Sequence, residues 1–528
     1  MAIALGIAAL AAITVARVRL IDALPDQGYF AKYSTVADQI LTGHTPRGRL
    51  LDFSPLYLWF VVALRGLGLG LHAIRTLQIA LVSASALLLS MAARRWGMIA
   101  VIAAPLLLLG SRAALVCATD LEPETLILLF DAAALAALLW KDDERHNALA
   151  GLLLGLSAIC RPVALLAIAG LIVTRRSWKL GAAAILPIAV MIGVNFSLTG
   201  EVALMDPGTV FYEGMNPSAG GYEGVQPRLV NDLEQRSSDP DTLHEAYRFL
   251  ASQALGQEVT RAESNRYWTG KALAFARAYP GAALRLVVRK AWFAIHSHDA
   301  YDLVTMARKN VLLERVPFIP FGLLVGLGIA ALLMRIRGMA PVVVFAAAGA
   351  VTLVVFYVTA RERNAMLAPM IVLAAAGLAE IVVRKRLFLA VAAVMIALLL
   401  TIDGPAQRED AAGWTGARNG FDAALALERQ GHWREADALL QRLETAGYRP
   451  MRENRAVSSL AWYRARAAAH LGAPRSEIVA LLRRADEEAP GNEHVLAGLA
   501  KMGDTAALRR LFDIHDPMTA RRALSEGI

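Results

Sequence analysis

The sequence has few cysteines and few charged side chains. Its 528 residues include only two cysteines, Cys117 and Cys160, which are too few for a disulfide framework and leave the redox compartment open. Charged residues make up 19% of the chain and hydrophobic residues 56%, and the mean hydropathy is +0.46. This balance excludes an ordinary soluble protein. We therefore predict an integral membrane protein whose charges lie between apolar runs.

Acidic residues are outnumbered by basic ones, with 45 Asp and Glu against 54 Lys and Arg, which gives a net charge of +9. A basic chain can indicate a nucleic-acid partner. Here much of the excess lies in short runs between apolar segments, as is typical of the cytoplasmic ends of membrane spans. We therefore predict no nucleic-acid partner. The clearest runs are Arg94-Arg95, Arg175-Arg176, Arg335-Ile336-Arg337 and Arg384-Lys385-Arg386.

The apolar runs predict about 11 transmembrane helices. They lie near residues 2–21, 73–93, 98–111, 124–140, 148–160, 163–174, 180–198, 316–334, 340–358, 366–383 and 387–402. The first run has no good cleavage context and is predicted to be an uncleaved span. With the amino terminus inside, this odd count places the segments 22–72 and 199–315, and everything after residue 403, outside.

The run from Pro55 to Leu71 is also nearly apolar. If it crossed the membrane, Arg65 would enter the hydrocarbon at a cost of roughly 2.5–3.5 kcal/mol. An interfacial or re-entrant segment is therefore favoured over a twelfth span.

The predicted fold is all-α, with two domains. Residues 1–403 form the transmembrane domain, including external loops at 22–72 and 199–315, and residues 404–528 form a soluble helical domain. Within the soluble domain, two helix pairs that turn at Gly431 and Gly472 resemble tetratricopeptide repeats. Such pairs bury a shared core and leave a concave face for a partner.

The first external loop carries two acidic residues around a surface helix. Asp26 follows Pro25, and Asp52 precedes the Ser54-Pro55-Leu56-Tyr57 turn. Between them, apolar residues recur at helical spacing over 28–41, as in a helix that lies along a membrane surface. An aspartate before a helix is also a favoured cap, and Asp52 could be a solvated loop residue.

This order of span, aspartate, surface helix and acidic residue before Pro-Leu resembles the first outer loop of GT-C glycosyltransferases. The resemblance is to relatives of the protein O-mannosyltransferases and of the lipid A aminoarabinose transferase. Asp26-Gln27 stands where the mannosyltransferases carry Asp-Glu, and Asp52 stands where the aminoarabinose enzymes carry glutamate. It implies a sugar donor linked to polyprenyl phosphate, catalytic roles for Asp26 and Asp52, and a substrate contact for Tyr57.

The large external loop carries a second resemblance. The segment from Phe211 to Tyr222, FYEGMNPSAGGY, resembles the Gly-Asn-Asn-Pro…Ala-x-Gly segment of bacterial dolichyl-phosphate-mannose-type transferases. Glu213 and Met215 depart from the usual residues. The resemblance implies that Tyr212 and Asn216 contact the substrate.

Transfer from a polyprenyl phosphate needs a carboxylate that takes the acceptor's proton and fixed cations near the departing phosphate. Arg361 and Arg363, with Pro369 following, resemble an Arg-Tyr-Arg…Pro motif of these families and are predicted to bind the donor phosphate. Arg161, between two short apolar helices, is the third candidate.

Acidic residues face the same predicted compartment before the fourth span. Asp120, Glu122 and Glu124 are the members of this group, and we predict substrate contacts for Asp120 and Glu122. The alternative is that they only complement a helix dipole.

The sequence predicts no certain cofactor. The spacing of His296, His298 and Asp299 is weak evidence for a metal site, and a divalent cation shared by Asp26 and Asp52 stays open.

The sequence as a whole predicts an inverting glycosyltransferase of the bacterial inner membrane that acts on its periplasmic face, with a glycan, lipid or protein acceptor. The alternatives are a lipid-linked sugar transporter, disfavoured because no two halves match, and a membrane scaffold.

Overall fold

The computed structural model describes a helical chain. The described residues are 30–44, 50–51, 53–204, 206–221, 224–226, 230, 243–299, 318–402, 416–445, 457 and 459–526. Within these residues there are 24 α-helices and no strands, which confirms the all-α prediction. Asp26, Asp52 and the predicted first span at 2–21 lie outside them.

The helices follow one another with short junctions. The first nine are α1 Phe30–Leu41, α2 Pro55–Gly66, α3 Leu71–Ala93, α4 Met98–Leu109, α5 Arg112–Ala118, α6 Glu124–Trp140, α7 Glu144–Cys160, α8 Ala164–Arg175 and α9 Trp178–Thr199. The next eight are α10 Pro207–Gly214, α11 Leu243–Leu255, α12 Arg261–Ala278, α13 Pro280–Ile295, α14 Phe321–Leu333, α15 Ala340–Val355, α16 Asn364–Val383 and α17 Leu387–Leu399. The last seven are α18 Gly416–Arg429, α19 Trp433–Thr445, α20 Leu460–His470, α21 Arg475–Glu488, α22 Glu493–Lys501, α23 Thr505–Ile514 and α24 Pro517–Glu526.

The chain divides into two compact units. The membrane unit comprises Met1–Met205 and Lys290–Ile402, and the tail unit comprises Asp206–Arg289 and Asp403–Ile528. One boundary between the units lies between Ile402 and Asp403. Residues 206–289 of the predicted external loop, however, group with the C-terminal helices.

Three helices of the membrane unit are long and apolar enough to cross a bilayer alone, namely α3 extended to Trp96, α9 and α16. A fourth candidate is the pair α4 and α5, which is bent by 56°. Five shorter apolar helices accompany them, namely α2, α8, α14, α15 and α17. The membrane prediction is thus supported by three or four spans among the described residues.

The predicted span at 98–111 corresponds to α4 within two residues, and the chain bends directly after it. Helix α4 stops at Leu109, and α5 begins at Arg112 after Ser111, whose extended backbone interrupts the helix. A Cβ atom at Gly110 would clash with the side chain of Ile319, so the break brings residue 110 against the segment before α14. Helix α5, which follows the bend, is not among the predicted segments.

Small residues allow close helix packing in the membrane unit. A Cβ atom at Gly151 of α7 would overlap the carbonyl oxygen of Leu180 in α9, and one at Gly377 of α16 would overlap that of Leu327 in α14. Apolar helices in lipid gain little from hydrophobic burial against each other, so close van der Waals contact between backbones stabilises their packing.

Helices α1 and α2 are joined by a bidentate ion pair. Arg65 near the end of α2 donates from Nε and Nη2 to the Asp38 carboxylate of α1, at 3.0 Å in both cases. Tyr33 of α1 packs edge-on against Phe53 and Tyr57. With only 12 residues, α2 is too short to cross a bilayer alone, as the interfacial or re-entrant interpretation requires.

The tail unit is built from helix pairs. Pairs α18/α19 and α20/α21 turn at Gly431 and Gly472, where φ is +81° and +72°, as the sequence predicts. A third pair, α22/α23, turns at Gly503 with φ of +86°, and its helices are capped by Asn492 and Asp504. Sequence reasoning missed this pair and α24, although both caps are readable signals.

Helix α12 joins the loop part of the tail unit to its C-terminal helices. Its Lys271 Nζ donates to the carbonyl oxygens of Phe512, Asp513 and His515 at 2.6, 3.0 and 2.7 Å. These carbonyls end α23, where a cation is favoured. The hydroxyl of Tyr279, which directly follows α12, contacts Asp486 of α21 at 3.1 Å. This contact also joins the loop part of the tail unit to its C-terminal helices.

Candidate active site

Three short junctions of the membrane unit lie together at one end of its helices. They are residues 119–123 between α5 and α6, 161–163 between α7 and α8, and 356–363 between α15 and α16. Each helix ends where its apolar run ends, so the charged residues of the junctions lie at the edge of the apolar bundle. Glu122, Glu124, Arg161, Arg361 and Glu362 converge there and are called the junction cluster.

Arg161 bridges two acidic side chains of the junction cluster. Its Nη2 lies 2.9 Å from Oε1 of Glu124 at the start of α6, and its Nη1 pairs with Oε1 of Glu362. Pro162 follows Arg161 and stops α7, which turns this side chain towards the neighbouring helix start. The two short helices that sequence analysis predicts on either side of Arg161 are α7 and α8.

Arg361 approaches the same group of carboxylates. Its Nη1 lies 3.2 Å from Oε2 of Glu122, and its Nη2 lies 3.9 Å from Oε1 of Glu362. Glu362 is thus shared by Arg161 and Arg361, two of the three arginines predicted to bind phosphate. Both Arg361 and Glu122 are buried.

Tyr57 is held beside the acidic junction by a glutamine of α3. The Tyr57 hydroxyl donates to Gln78 Oε1, and Gln78 Nε2 donates to the carbonyl oxygens of Ala118 and Asp120, at 2.9 and 2.6 Å. Tyr57, Gln78 and Asp120 are all buried. The structure therefore brings together the predicted residues Tyr57, Asp120, Glu122, Arg161 and Arg361.

Arg363 points to a different set of groups. It donates to the carbonyl oxygen of His296 and pairs with Asp299, and its guanidinium lies 4.7 Å from the centre of the Phe321 ring. The contacts of Arg363 fix the segment after α13 against the start of α14. Its role in the structure differs from that of Arg161 and Arg361.

Charge and burial oppose each other in the junction cluster. Burial alone would raise the pKa of Glu362, but the positive charges of Arg161 and Arg361 outweigh it and hold that pKa below its usual range. Burial would likewise lower the pKa of Arg161, yet Glu124 and Glu362 raise it. The opposite charges thus favour the ionised forms of Glu362 and Arg161.

The junction cluster contains one more carboxylate than guanidinium groups. Its guanidinium groups can bind phosphate oxygens through paired N–H donors. A carboxylate beyond those needed for charge balance can accept a proton from a hydroxyl. The arrangement can therefore stabilise a departing phosphate and activate an acceptor.

Tyr212 and Asn216 belong to the tail unit. The Tyr212 ring packs against that of Trp268, with centres 4.8 Å apart. Asn216 Nδ2 donates to the carbonyl oxygens of Tyr212, Glu213 and Val225. Both side chains are buried and hold the turn after α10 in place. Trp268 is fully buried as well, in agreement with a packing role.

The possible metal site at His296, His298 and Asp299 has other contacts in the structure. His296 Nε2 lies 3.2 Å from the carbonyl oxygen of Ile402, and Asp299 pairs with Arg363. Among the described residues there is no group of three or more His, Cys, Asp or Glu side chains placed to hold a metal ion. Asp26 and Asp52, the predicted catalytic residues, lie outside those residues.

Three members of this region are not among the predicted site residues. Glu362 lies between the two arginines of the family-like motif, Glu124 belongs to the acidic group for which a helix-dipole role is the alternative, and Gln78 lies within the predicted span 73–93. A signal existed in each case, because an uncompensated Glu or Gln within or beside an apolar helix is costly and marks a polar contact.

Comparisons with protein-family models, with curated proteins and with solved structures find no match to this chain.

Proposed function

We propose that the protein is an inverting glycosyltransferase of the GT-C type, which moves a sugar from a polyprenyl-phosphate carrier to an acceptor. The donor is a membrane lipid, and the acceptor is a glycan, a lipid or a protein. The reaction takes place on the outer face of the bacterial inner membrane, and the tail unit lies on the same side.

The observation that carries the proposal is the junction cluster. Buried ion pairs contribute little to stability, because the cost of desolvating the charges offsets their attraction. Five ionisable side chains at the edge of an apolar bundle are therefore better explained by function than by folding, as is general for membrane proteins. A lipid phosphate is the anion available at this depth.

The proposed mechanism assigns distinct roles to the two kinds of side chain. Arg161 and Arg361 bind the phosphate of the donor and stabilise the negative charge that grows on the leaving oxygen. A carboxylate takes the proton of the acceptor hydroxyl, which attacks the anomeric carbon from the opposite side. Asp26 remains the proposed base, and Asp52 is proposed to orient the acceptor. No metal is required by this scheme.

The proposed topology has about 11 spans. The three or four clear spans are supplemented by the shorter apolar helices α8, α14, α15 and α17 and by α6 and α7, which cross together as a bundle and tilt to match the bilayer. In this topology the junctions at 119–123, 161–163 and 356–363 all face outward.

The test uses purified full-length protein in liposomes with radiolabelled polyprenyl-phosphate mannose, glucose or aminoarabinose. We expect label from at least one donor to leave the lipid carrier, to water or to an added glycan. Arg384→Ala serves as the control, because Arg384 is an exposed arginine paired with Glu380 in the preceding turn. A protein that moves the intact lipid across the bilayer and releases no sugar would be a transporter, and one that does neither would be a scaffold.

A further inference from the structure

Helix α13 carries apolar side chains on two opposite sides. Its inner side buries Ala283, Leu286 and Phe293. On the outer side Leu284, Val288 and Trp292 recur every four residues and are 64%, 61% and 39% exposed. Side chains four apart lie one above another along a helix, so these three form a continuous stripe. An exposed stripe of this kind needs an apolar partner.

Two arginines stand beside this stripe. Arg285 and Arg289 are both exposed and lie one residue after Leu284 and Val288, so that they run parallel to the stripe along the helix. Arg289 makes one contact, from Nη1 to the carbonyl oxygen of Gly220 at 3.4 Å, and no acidic side chain is paired with either arginine in the described part of the chain. A stripe of leucine, valine and tryptophan edged by arginine has the composition of a helix that lies in a membrane interface.

The end of α13 lies at the ends of apolar helices of the membrane unit. Lys290 Nζ donates to the carbonyl oxygen of Val355, the last residue of α15, at 3.2 Å. Just after α13, the Ser297 amide donates to the carbonyl oxygen of Leu400, which caps α17, at 2.9 Å. The last turns of α13, which carry Trp292, therefore lie at the ends of two apolar helices of the membrane unit.

We propose that the outer side of α13 binds the membrane surface, with Leu284, Val288 and Trp292 among the acyl chains and with Arg285 and Arg289 on the phosphates of anionic phospholipids. The partner is a lipid surface, because the stripe ends in Trp292 beside two apolar helices of the membrane unit and because neither arginine is paired with an acidic side chain in the described part of the chain. This contact holds α13 on the bilayer whether or not the protein transfers sugar.

The test places a fluorophore on the stripe of the full-length protein. The two native cysteines are buried, so a thiol introduced by Val288→Cys can be labelled selectively. The protein is placed in phosphatidylcholine bilayers that contain phosphatidylglycerol, and either lipid is brominated on its acyl chains so that it quenches the fluorophore on contact. Val190→Cys, on the exposed side of α9, serves as a lipid-facing reference, and Leu508→Cys serves as a reference in the tail unit.

We expect quenching at position 288 comparable to that at position 190 and absent at position 508. Brominated phosphatidylglycerol should quench position 288 more strongly than brominated phosphatidylcholine. Replacing both arginines, in Arg285→Gln with Arg289→Gln, should retain the quenching at position 288. It should reduce the preference for phosphatidylglycerol over phosphatidylcholine by about fivefold for each arginine, which is the effect of one basic residue near an anionic surface.

The control is Arg483→Gln with Arg509→Gln, which removes the same charge from exposed positions of α21 and α23 and should leave the preference unchanged. Quenching at position 190 without quenching at position 288 would overturn the proposal, because a protein partner or a second copy would then cover the stripe. Equal quenching of position 288 by the two lipids would overturn the assignment of anionic lipid.

Discussion

The two units use ion pairs in opposite ways. In the tail unit, charged contacts are spread over many helices and most remain open to water, as for Arg464, which reaches Asp437 and Glu444 at 3.0 and 2.9 Å with about a fifth of each side chain exposed. In the membrane unit, five charged side chains of both signs, each at most 16% exposed, meet in the junction cluster. Solvated pairs tie helices together at little cost, whereas the buried cluster is expensive and is better explained by function.

The largest expected effect comes from removing one bridging arginine from each unit. Arg161→Met leaves Glu124 buried without its partner and should lower the free energy of unfolding by about 3–5 kcal/mol. Arg464→Met, a matched change in a solvated bridge, should cost about 1 kcal/mol. Denaturant titration in mixed micelles measures both. Equal losses of unfolding free energy in the two variants would show that ion pairs in the two units do not differ in this way.

A second expected effect concerns packing in the membrane unit. Gly151→Ala pushes a methyl group into the backbone of α9 and should lower the free energy of unfolding by about 1–3 kcal/mol. Gly193→Ala is the matched change in α9, where nothing in the described chain lies within 4 Å of the new methyl group. It should alter stability by less than about 1 kcal/mol. A neutral Gly151→Ala would show that α7 and α9 are not in close contact.

The smallest expected effect is a pH dependence of the tail unit. Burial lowers the pKa of Lys271 to about 8, although Asp516 and Asp513 attract its charge. The folded chain therefore binds this proton less tightly than the unfolded chain, whose lysine has its usual pKa near 10.4. Stability from this group should rise as pH increases from about 8 to about 10, because the unfolded chain still binds the proton there.

Denaturant titrations of the wild type and of Lys271→Met across that pH range check this. The difference in the free energy of unfolding between the two proteins should change by about 1 kcal/mol or less over this pH range, since the ammonium group is partly solvated. Lys501→Met, at an exposed lysine of α22, should follow the wild type. A difference that is constant with pH would show that Lys271 keeps the same affinity for its proton in both states.

Hydropathy predicts much of the fold of the membrane unit. The predicted segments 73–93, 124–140 and 180–198 correspond to α3, α6 and α9 within two residues at each end. These segments are mainly apolar, although Arg75, Gln78 and Asp131 lie within them, and charged or polar residues follow each one. Local composition therefore determines where they end. The predicted segment 98–111 corresponds to α4 in the same way, whereas the short helix α5 after the bend, which begins at Arg112, was not predicted.

Contacts between distant segments could not be read in this way. Lys271 holds α12 to α23 through backbone carbonyls, which every residue possesses, so no residue pattern reveals that residues 206–289 belong with the tail. Part of the candidate site could be predicted from the sequence. Arg161 and Arg361 could be chosen because arginine is rare at outer junctions, but nothing in the sequence shows that both meet Glu362.

The central claim is that the junction cluster is a reaction centre, and the most direct test is the rate of sugar release from labelled polyprenyl-phosphate donor by Arg361→Ala. The account predicts a fall of at least about 100-fold relative to wild type, as expected when a group that stabilises a developing charge is removed. Arg384→Ala should keep the wild-type rate, and Arg361→Lys, which keeps the charge but not the paired donors, should fall in between. Size-exclusion profiles and thermal transitions establish that each variant is inserted and folded. An unchanged rate in folded Arg361→Ala would contradict the account.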